Sequence, residues 1–162
     1  MSDELHRTHS SISSFCAKRR RARRLAMYAT FASICTSYPV SETFSLLRTM
    51  SKAYNALDEF ARELCDLIDK HRAELERDLE GIVENWRLDR IGFVERAILL
   101  LGTAEIAYLP DIPPRVTINE YIEIAKLFCA DDAPRFINGV LDKVAKVKQK
   151  KDFFVRSLHP KS

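Results

Sequence analysis

The chain has 162 residues, the length of one ordinary domain, and its four glycines and six prolines are too few for the many turns of an all-β fold. Leu, Ala, Glu, Lys and Arg are abundant, which favours helices. The net charge of +3 conceals two basic ends, since residues 1–24 carry +5 and residues 143–161 carry +6 while those between carry −8, and this asymmetry predicts an anionic partner at the chain ends.

The first segment is polar and serine-rich, with no sustained periodicity over residues 1–16. Segments of this kind bury too little apolar surface to offset the entropy lost on ordering. The sequence therefore predicts a disordered N-terminal arm over residues 1–16. A folded domain is predicted over residues 17–147, followed by a basic C-terminal tail over residues 148–162.

The folded domain opens with the stretch KRRRARRLAMYATF, which begins at Lys18 and places six positive charges in seven positions. A helical period runs from there to about Cys35. One side of this predicted helix carries small and apolar residues, namely Ala22, Leu25, Ala26, Ala29 and Ser33. The opposite side carries a basic and aromatic set, namely Arg20, Arg24, Met27, Tyr28 and Phe31.

A helix face with both arginines and aromatic rings can neutralise phosphates and stack on bases. The alternative is a solvated helix start with ordinary core aromatics. Arginines at a helix N-terminus oppose the helix dipole, which favours acidic residues there. Because that placement is unfavourable, we favour nucleic-acid contact over a merely solvated face.

Two helices are predicted in the middle of the chain. The second helix runs from Ser41 toward Lys52, and the third runs from about Asn55 to Leu79. The exterior of the third is rich in acidic and basic residues at i,i+4 spacing, which is typical of a solvated helix. This exterior gives no indication of function.

Three more helices follow. The fourth is apolar on most of its surface, and Gly102 within it indicates close packing against a neighbouring helix. Thr117 with Glu120 three residues later predicts a capping box at the start of the fifth. Asp131 or Asp132 is predicted to cap the sixth.

No motif for catalysis, cofactor binding or metal binding is found. The cysteines are widely separated, which indicates neither a zinc site nor a disulfide framework and fits a reducing cytoplasm. The sequence contains no glycine-rich phosphate loop, H-E-x-x-H or G-x-S-x-G motif. No stretch approaches the roughly 18 apolar residues of a membrane span. We therefore predict a cytoplasmic protein that is not an enzyme and has no cofactor or metal ion.

Three segments, RRRARRLAMYATF, ERAILLLGTAEIAYLPDIPPRVTINEYIEIAKLF and RFINGVLDKV, occur in this order between about residues 18 and 147. Together they resemble the NusB family of bacterial transcription antitermination factors. The resemblance implies an all-α fold of two small helical bundles with about seven helices. It further implies a factor that binds boxA RNA of ribosomal RNA operons together with ribosomal protein NusE and promotes read-through by RNA polymerase. Relatives include both monomers and homodimers.

The resemblance also implies particular site residues. Those implied in RNA contact are Arg19, Arg20, Arg21 and Arg23 of the arginine motif, with Asp132 and Phe136 at the start of the last helix. Arg24 replaces a usual acid and Tyr28 a usual glutamine, which makes the same face more basic and more aromatic. Phe31 and Glu95 match positions implied in partner binding. Without the resemblance, Glu95 would be assigned as an exposed helix acid and Phe136 as core.

Three departures from the family pattern matter. Leu100 stands in place of a usual arginine and Ala104 in place of a usual tyrosine, while Glu105 is kept, which implies that packing replaces a buried polar network between those positions. Phe31 lacks the hydroxyl of the usual tyrosine.

Two other functions stay open. One is a NusB-like RNA-recognition domain related to ribosomal RNA cytosine methyltransferases. The other is a protein-interaction bundle or homodimer without specific RNA recognition. Under either the main prediction or these alternatives, an exposed face with Met27 and Phe31 would serve either a NusE contact or self-association.

Overall fold

A computed structural model describes the backbone of residues 2–50, 58–83 and 90–158 and the side chains of residues 11–50, 59–83 and 90–151. These residues contain no strand and six helices, which are α1 (Ser2–Thr36), α2 (Val40–Met50), α3 (Asp58–Ile82), α4 (Phe93–Tyr108), α5 (Pro114–Phe128) and α6 (Ala133–Leu158). The all-α prediction is confirmed, with six helices described against about seven expected. The second helix was predicted to run toward Lys52 and the third to begin at about Asn55. Both of these residues lie outside the described part of the chain. None of the described helices is long and apolar enough to span a membrane.

Helix α1 is longer than the sequence predicted. The backbone of residues 2–16 continues the helix, in place of the predicted disordered arm. No proline or glycine interrupts the chain before Pro39, so the helix propagates even though the side chains of residues 11–18 are all exposed. The helix ends at Thr36, because the next residue, Ser37, has a left-handed φ of 63° that stops the hydrogen-bond ladder.

Helix α4 is the centre of the molecule. Every residue from 97 to 106 is buried, because α1, α3, α5 and α6 all pack around this helix. Helices α1–α3 form one bundle and α4–α6 the other, and α4 joins the two into a single core. Leu100 and Ala104 are fully buried, so apolar packing does occupy the two positions where the family usually has polar residues.

Gly102 lets α4 and α6 approach closely. A Cβ at Gly102 would lie 2.8 and 2.9 Å from the terminal carbons of Leu141, which is closer than real Cβ contacts. The sequence-based prediction of close packing at Gly102 is therefore confirmed.

Helix α2 is capped by a side chain from another helix. Asp69 of α3 accepts hydrogen bonds from the backbone N–H groups of Val40 and Ser41, at 2.7 and 2.9 Å. A carboxylate at this position satisfies two free donors and complements the helix dipole.

Helix α5 begins earlier than predicted. It starts at Pro114, the residue type whose fixed φ suits the first helical position. Thr117 is therefore inside the helix and buried, and the predicted capping box of Thr117 with Glu120 is wrong. Both side chains have other partners, which belong to the candidate site.

Candidate functional site

The predicted RNA-binding arginines of α1 divide into one that points inward and several that reach the surface. Arg23 is buried at 3% side-chain exposure and pairs with the fully buried Glu105 of α4, with 2.6 Å between Nη2 and Oε1. Its Nε also donates to the same carboxylate at 3.0 Å, and the Thr117 hydroxyl donates to it at 2.8 Å. Burial opposes the charge of Arg23, but the hydrogen bond and charge of Glu105 outweigh it and raise the pKa of Arg23.

This geometry gives Arg23 a structural role. A guanidinium that is buried and paired cannot reach a phosphate, so the position of Arg23 is at odds with the predicted direct RNA contact. Its pair with Glu105 instead fixes α1 against α4, and Thr117 adds α5 to the same network. The sequence signal was the acidic residue Glu105 within the otherwise uncharged, buried stretch of α4 from residue 97 to residue 106, because a buried carboxylate needs a partner.

Arg20 pairs at the surface with α5. Its Nε and Nη2 donate to the two oxygens of Glu120, each at 2.9 Å. The Arg20 side chain is 53% exposed, and Nη1 takes no part in this two-pronged contact. The hydrogen bond from Arg20 lowers the pKa of Glu120, although burial acts in the opposite direction.

The remaining basic residues of the run differ in accessibility. Lys18 and Arg21 are exposed and Arg24 is half-buried, and none of the three forms an ion pair with another described residue. The guanidinium of Arg19 is held between two rings, 4.7 Å from the centre of Phe15 and 4.5 Å from that of Phe60. We call Lys18, Arg20, Arg21 and Arg24 the basic surface.

An aromatic pair lies beyond the basic surface. Tyr28 is half-buried and meets Phe128 edge to face, with ring centres 5.6 Å apart and planes at 81°. Since Arg20 contacts Glu120 and Tyr28 contacts Phe128, α1 and α5 run side by side in the same direction. Met27 is buried at 2% exposure, so the predicted exposed face with Met27 is wrong.

The N-terminal end of α4 lies beside the C-terminal end of α5. The carboxylate of Glu95, which is half-buried, occupies the space that a Cβ on Gly92 would take. Burial, together with the charge and hydrogen bonding of Glu95, raises the pKa of Cys129 to about 12. Tyr28 and Glu95 therefore flank two consecutive residues, Phe128 and Cys129, at the end of α5.

The other predicted site residues are Asp132, Phe136 and Phe31. Asp132 is exposed and directly precedes α6, where its carbonyl accepts from the backbone N–H of Phe136 at 3.3 Å. Phe136 and Phe31 are both half-buried against the core. Neither ring is freely exposed, so each can offer only part of its surface to a partner.

Sequence reasoning missed several exposed apolar residues at this end of the molecule. Phe93 is 52% exposed at the start of α4, while Leu127 and Phe128 are 64% and 39% exposed at the end of α5. The apolar pattern of a helix does not reveal which of its ends stays uncovered, so no sequence signal identified them.

Comparison with known proteins assigns the chain to a family. A model described as the NusB family matches residues 20–146. The chain belongs to the NusB family. A relative from Myxococcus xanthus (strain DK1622), transcription antitermination protein NusB, is 37% identical over 131 residues, which are 78% of this chain and 94% of the relative.

Solved structures of the NusB family share the fold. The chain is similar to NusB from T. maritima, with a TM-score of 0.73 and 31% identity, over 79% of this chain and 90% of that one. It is also similar to a chain from a crystal structure of the antitermination factors NusB and NusE in complex with dsRNA, with a TM-score of 0.74 and 26% identity, over 81% and 98% of the two chains. The predicted family and fold class are confirmed, whereas the roles of individual site residues stay predictions.

Proposed function

We propose that this NusB-family protein is a transcription antitermination factor that binds boxA RNA together with ribosomal protein NusE and promotes read-through of terminators by RNA polymerase. One observation carries the proposal. Tyr28, predicted for RNA, and Glu95, predicted for the partner, lie beside consecutive residues at the end of α5, because Tyr28 contacts Phe128 and Glu95 lies beside Cys129. A strand of RNA on α1 would therefore run directly to the protein partner.

The RNA half of the proposal rests on the basic surface. Arg24 and Tyr28 are one helical turn apart on α1, and Arg20 lies one turn before Arg24. Cations in such a row attract phosphates, and an aromatic ring at its end offers a stacking surface for an unpaired base. Arg21 adds an exposed charge without a described acidic partner.

We propose that Arg20 binds a phosphate while it remains paired with Glu120. Its contact with Glu120 uses Nε and Nη2, which leaves the Nη1 hydrogens to donate to an RNA oxygen. The pair orients the guanidinium but also places a negative charge close to the RNA. We therefore propose that Glu120 limits the contribution of Arg20 to RNA affinity.

The partner half rests on exposed apolar side chains around Glu95. Phe93 and Leu127 are each more than half exposed, and a protein partner that covers them gains the free energy of apolar burial. Glu95 supplies an acidic group beside them. Phe31, whose ring is half-buried and lacks a hydroxyl, is proposed to add apolar contact with the partner.

A transcription assay tests the proposal as a whole. With RNA polymerase and NusE present, adding the protein should raise read-through of a terminator placed downstream of boxA. The matched control is the same template with a scrambled boxA, on which read-through should not change. Equal read-through on both templates, or no response to the protein, would refute the proposed function.

A further inference from the structure

Gly139 is an exposed glycine inside helix α6 that no internal contact explains. A Cβ at this position would meet nothing within 4 Å, in contrast to Gly102, whose Cβ would meet Leu141. Gly139 does not have a positive φ, so no turn requires it. A glycine inside a helix makes the helix less stable than alanine would. The absence of a side chain at Gly139 is therefore better explained by contact with a molecule outside the chain.

Basic side chains line the same face of α6. Arg135 lies one turn before Gly139, Lys143 one turn after it, and Lys146 about two turns after it. All three are exposed. Lys146 pairs with Asp142 at 2.7 Å, whereas Arg135 and Lys143 form no ion pair with another described residue. We call Arg135, Gly139, Lys143 and Lys146 the α6 stripe.

The α6 stripe continues from the proposed RNA surface. The connection after Phe128, whose ring meets Tyr28, leads through Asp132 directly into α6. Arg135 is three residues beyond Asp132 and Gly139 is seven residues beyond it, so all three lie on one side of the helix. At 1.5 Å per residue, Gly139 is about 10 Å along the helix from Asp132.

The chemistry of the stripe fits a phosphate backbone. It carries three cations and no apolar side chain, with Asp142 as an acidic residue on the same face that pairs with Lys146, whereas the centre of a protein interface is apolar and depleted in charge. Lysines and arginines spaced by helical turns can contact successive phosphates, and such contacts fix the position of a strand without reading its sequence. A bare helix backbone between the cations allows the strand to come close.

We propose that the α6 stripe binds the RNA strand that leaves the basic surface of α1, with the sugar–phosphate backbone lying against Gly139. This inference rests on the proposed function and extends its RNA site from α1 across the end of α5 to α6. It gives Gly139 the role of admitting the strand and Arg135 and Lys143 the role of holding it.

The test uses two variants of the full chain with NusE and a labelled boxA RNA that extends beyond boxA on both sides. Gly139→Ala should raise the thermal midpoint by about 2 °C, because alanine favours the helix. The same variant should weaken RNA binding about tenfold, because the methyl group fills space that the strand needs. Lys143→Gln should reduce the slope of log affinity against log salt by about 0.7.

Two controls separate this inference from general effects. Gly81→Ala changes another exposed glycine with an open Cβ position, near the end of α3, and should leave RNA affinity unchanged. Lys70→Gln removes an exposed charge from α3 and should leave the salt slope unchanged. If Gly139→Ala binds RNA as tightly as the wild-type protein does, the proposed role of the α6 stripe is wrong and the proposed function still stands. Failure of the wild-type protein to bind RNA at all would overturn both.

Discussion

Arg23 of α1 and Glu105 of α4 form an ion pair inside the core, although Arg23 belongs to the most basic run of the sequence. The run therefore serves two purposes. One arginine fixes α1 against α4, while the basic surface on the same helix faces solvent. The structural and the proposed RNA-binding contributions of the run are separable by mutation.

Replacing the buried arginine should destabilise the fold strongly. Arg23→Met leaves the carboxylate of Glu105 buried without its cationic partner, although the Thr117 hydroxyl still donates to it. Breaking one side of a buried ion pair costs about 3 kcal/mol or more. We expect the free energy of unfolding, measured with urea, to fall by this amount.

A matched control uses another buried polar side chain. The Thr103 hydroxyl is buried and has no hydrogen-bond partner among the described residues, so Thr103→Val should change the free energy of unfolding little. If Arg23→Met is as mild as Thr103→Val, the Arg23–Glu105 pair does not hold the helices together.

The surface pair should make stability depend on pH in the acid range. The hydrogen bond from Arg20 lowers the pKa of Glu120 below its ordinary 4.5. A carboxylate with a lowered folded-state pKa stabilises the fold above its unfolded pKa, and this stabilisation is lost as pH falls through the folded pKa. Because Arg20 is half exposed, the effect is under about 1 kcal/mol. Between about pH 6 and about pH 3, the free energy of unfolding measured with urea should fall less in Glu120→Gln than in the wild-type protein.

The same variant reports on RNA binding. Glu120→Gln removes a negative charge beside Arg20, and we expect it to tighten RNA binding about threefold to fivefold, as for one exposed ion pair. The charge-matched control is Glu80→Gln, an exposed acid near the end of α3. Weaker RNA binding by Glu120→Gln would mean that Glu120 helps RNA binding by orienting Arg20 more than it opposes binding through its negative charge.

The basic surface should determine the salt dependence of RNA binding. Each phosphate contact to a single strand contributes about −0.7 to the slope of log affinity against log salt. Arg21→Gln combined with Arg24→Gln should therefore flatten the slope by about 1.4 while the thermal midpoint stays nearly unchanged. Arg77→Gln removes an exposed arginine of α3 whose Nε donates to the backbone carbonyl of Ala73 in the same helix, and should leave the slope as it is. An unchanged slope in the double variant would remove Arg21 and Arg24 from the RNA site.

Glu95 should control the reactivity of the neighbouring thiol. The pKa of Cys129 is raised to about 12 by burial and by Glu95, so about one molecule in a thousand carries the thiolate near pH 9. Glu95→Gln removes the negative charge, and we expect alkylation of Cys129 by iodoacetamide to become severalfold faster. Mass spectrometry follows this rate, with the exposed Cys35 as an internal reference. Equal rates in both proteins would mean that Glu95 does not contact Cys129.

The fold was largely predictable from the sequence, because helical periodicity and turn residues are local signals. Gly102 indicated a close approach, and its Cβ position against Leu141 confirms it. The start of α5 was misassigned because Thr117 and Glu120 have the spacing of a capping box, whereas their side chains bind Glu105 and Arg20 across helices. Contacts between distant parts of the chain leave no periodic signal.

The candidate site was predictable only in part. The basic run and Tyr28 were visible because charge and aromatic residues recur at helical spacing. The inward direction of Arg23 was not visible, since it depends on where α4 places Glu105. The exposure of Phe93 and Leu127 was also hidden, because it depends on how the helix ends pack.

The most direct test of the proposed function is fluorescence anisotropy of a labelled boxA RNA and a scrambled control, titrated with the protein alone and then with NusE present. We predict that NusE tightens binding to boxA RNA and has little effect on the scrambled RNA. Equal affinity for both RNAs with no response to NusE would contradict the proposal, and would leave the basic surface as a general site for polyanions.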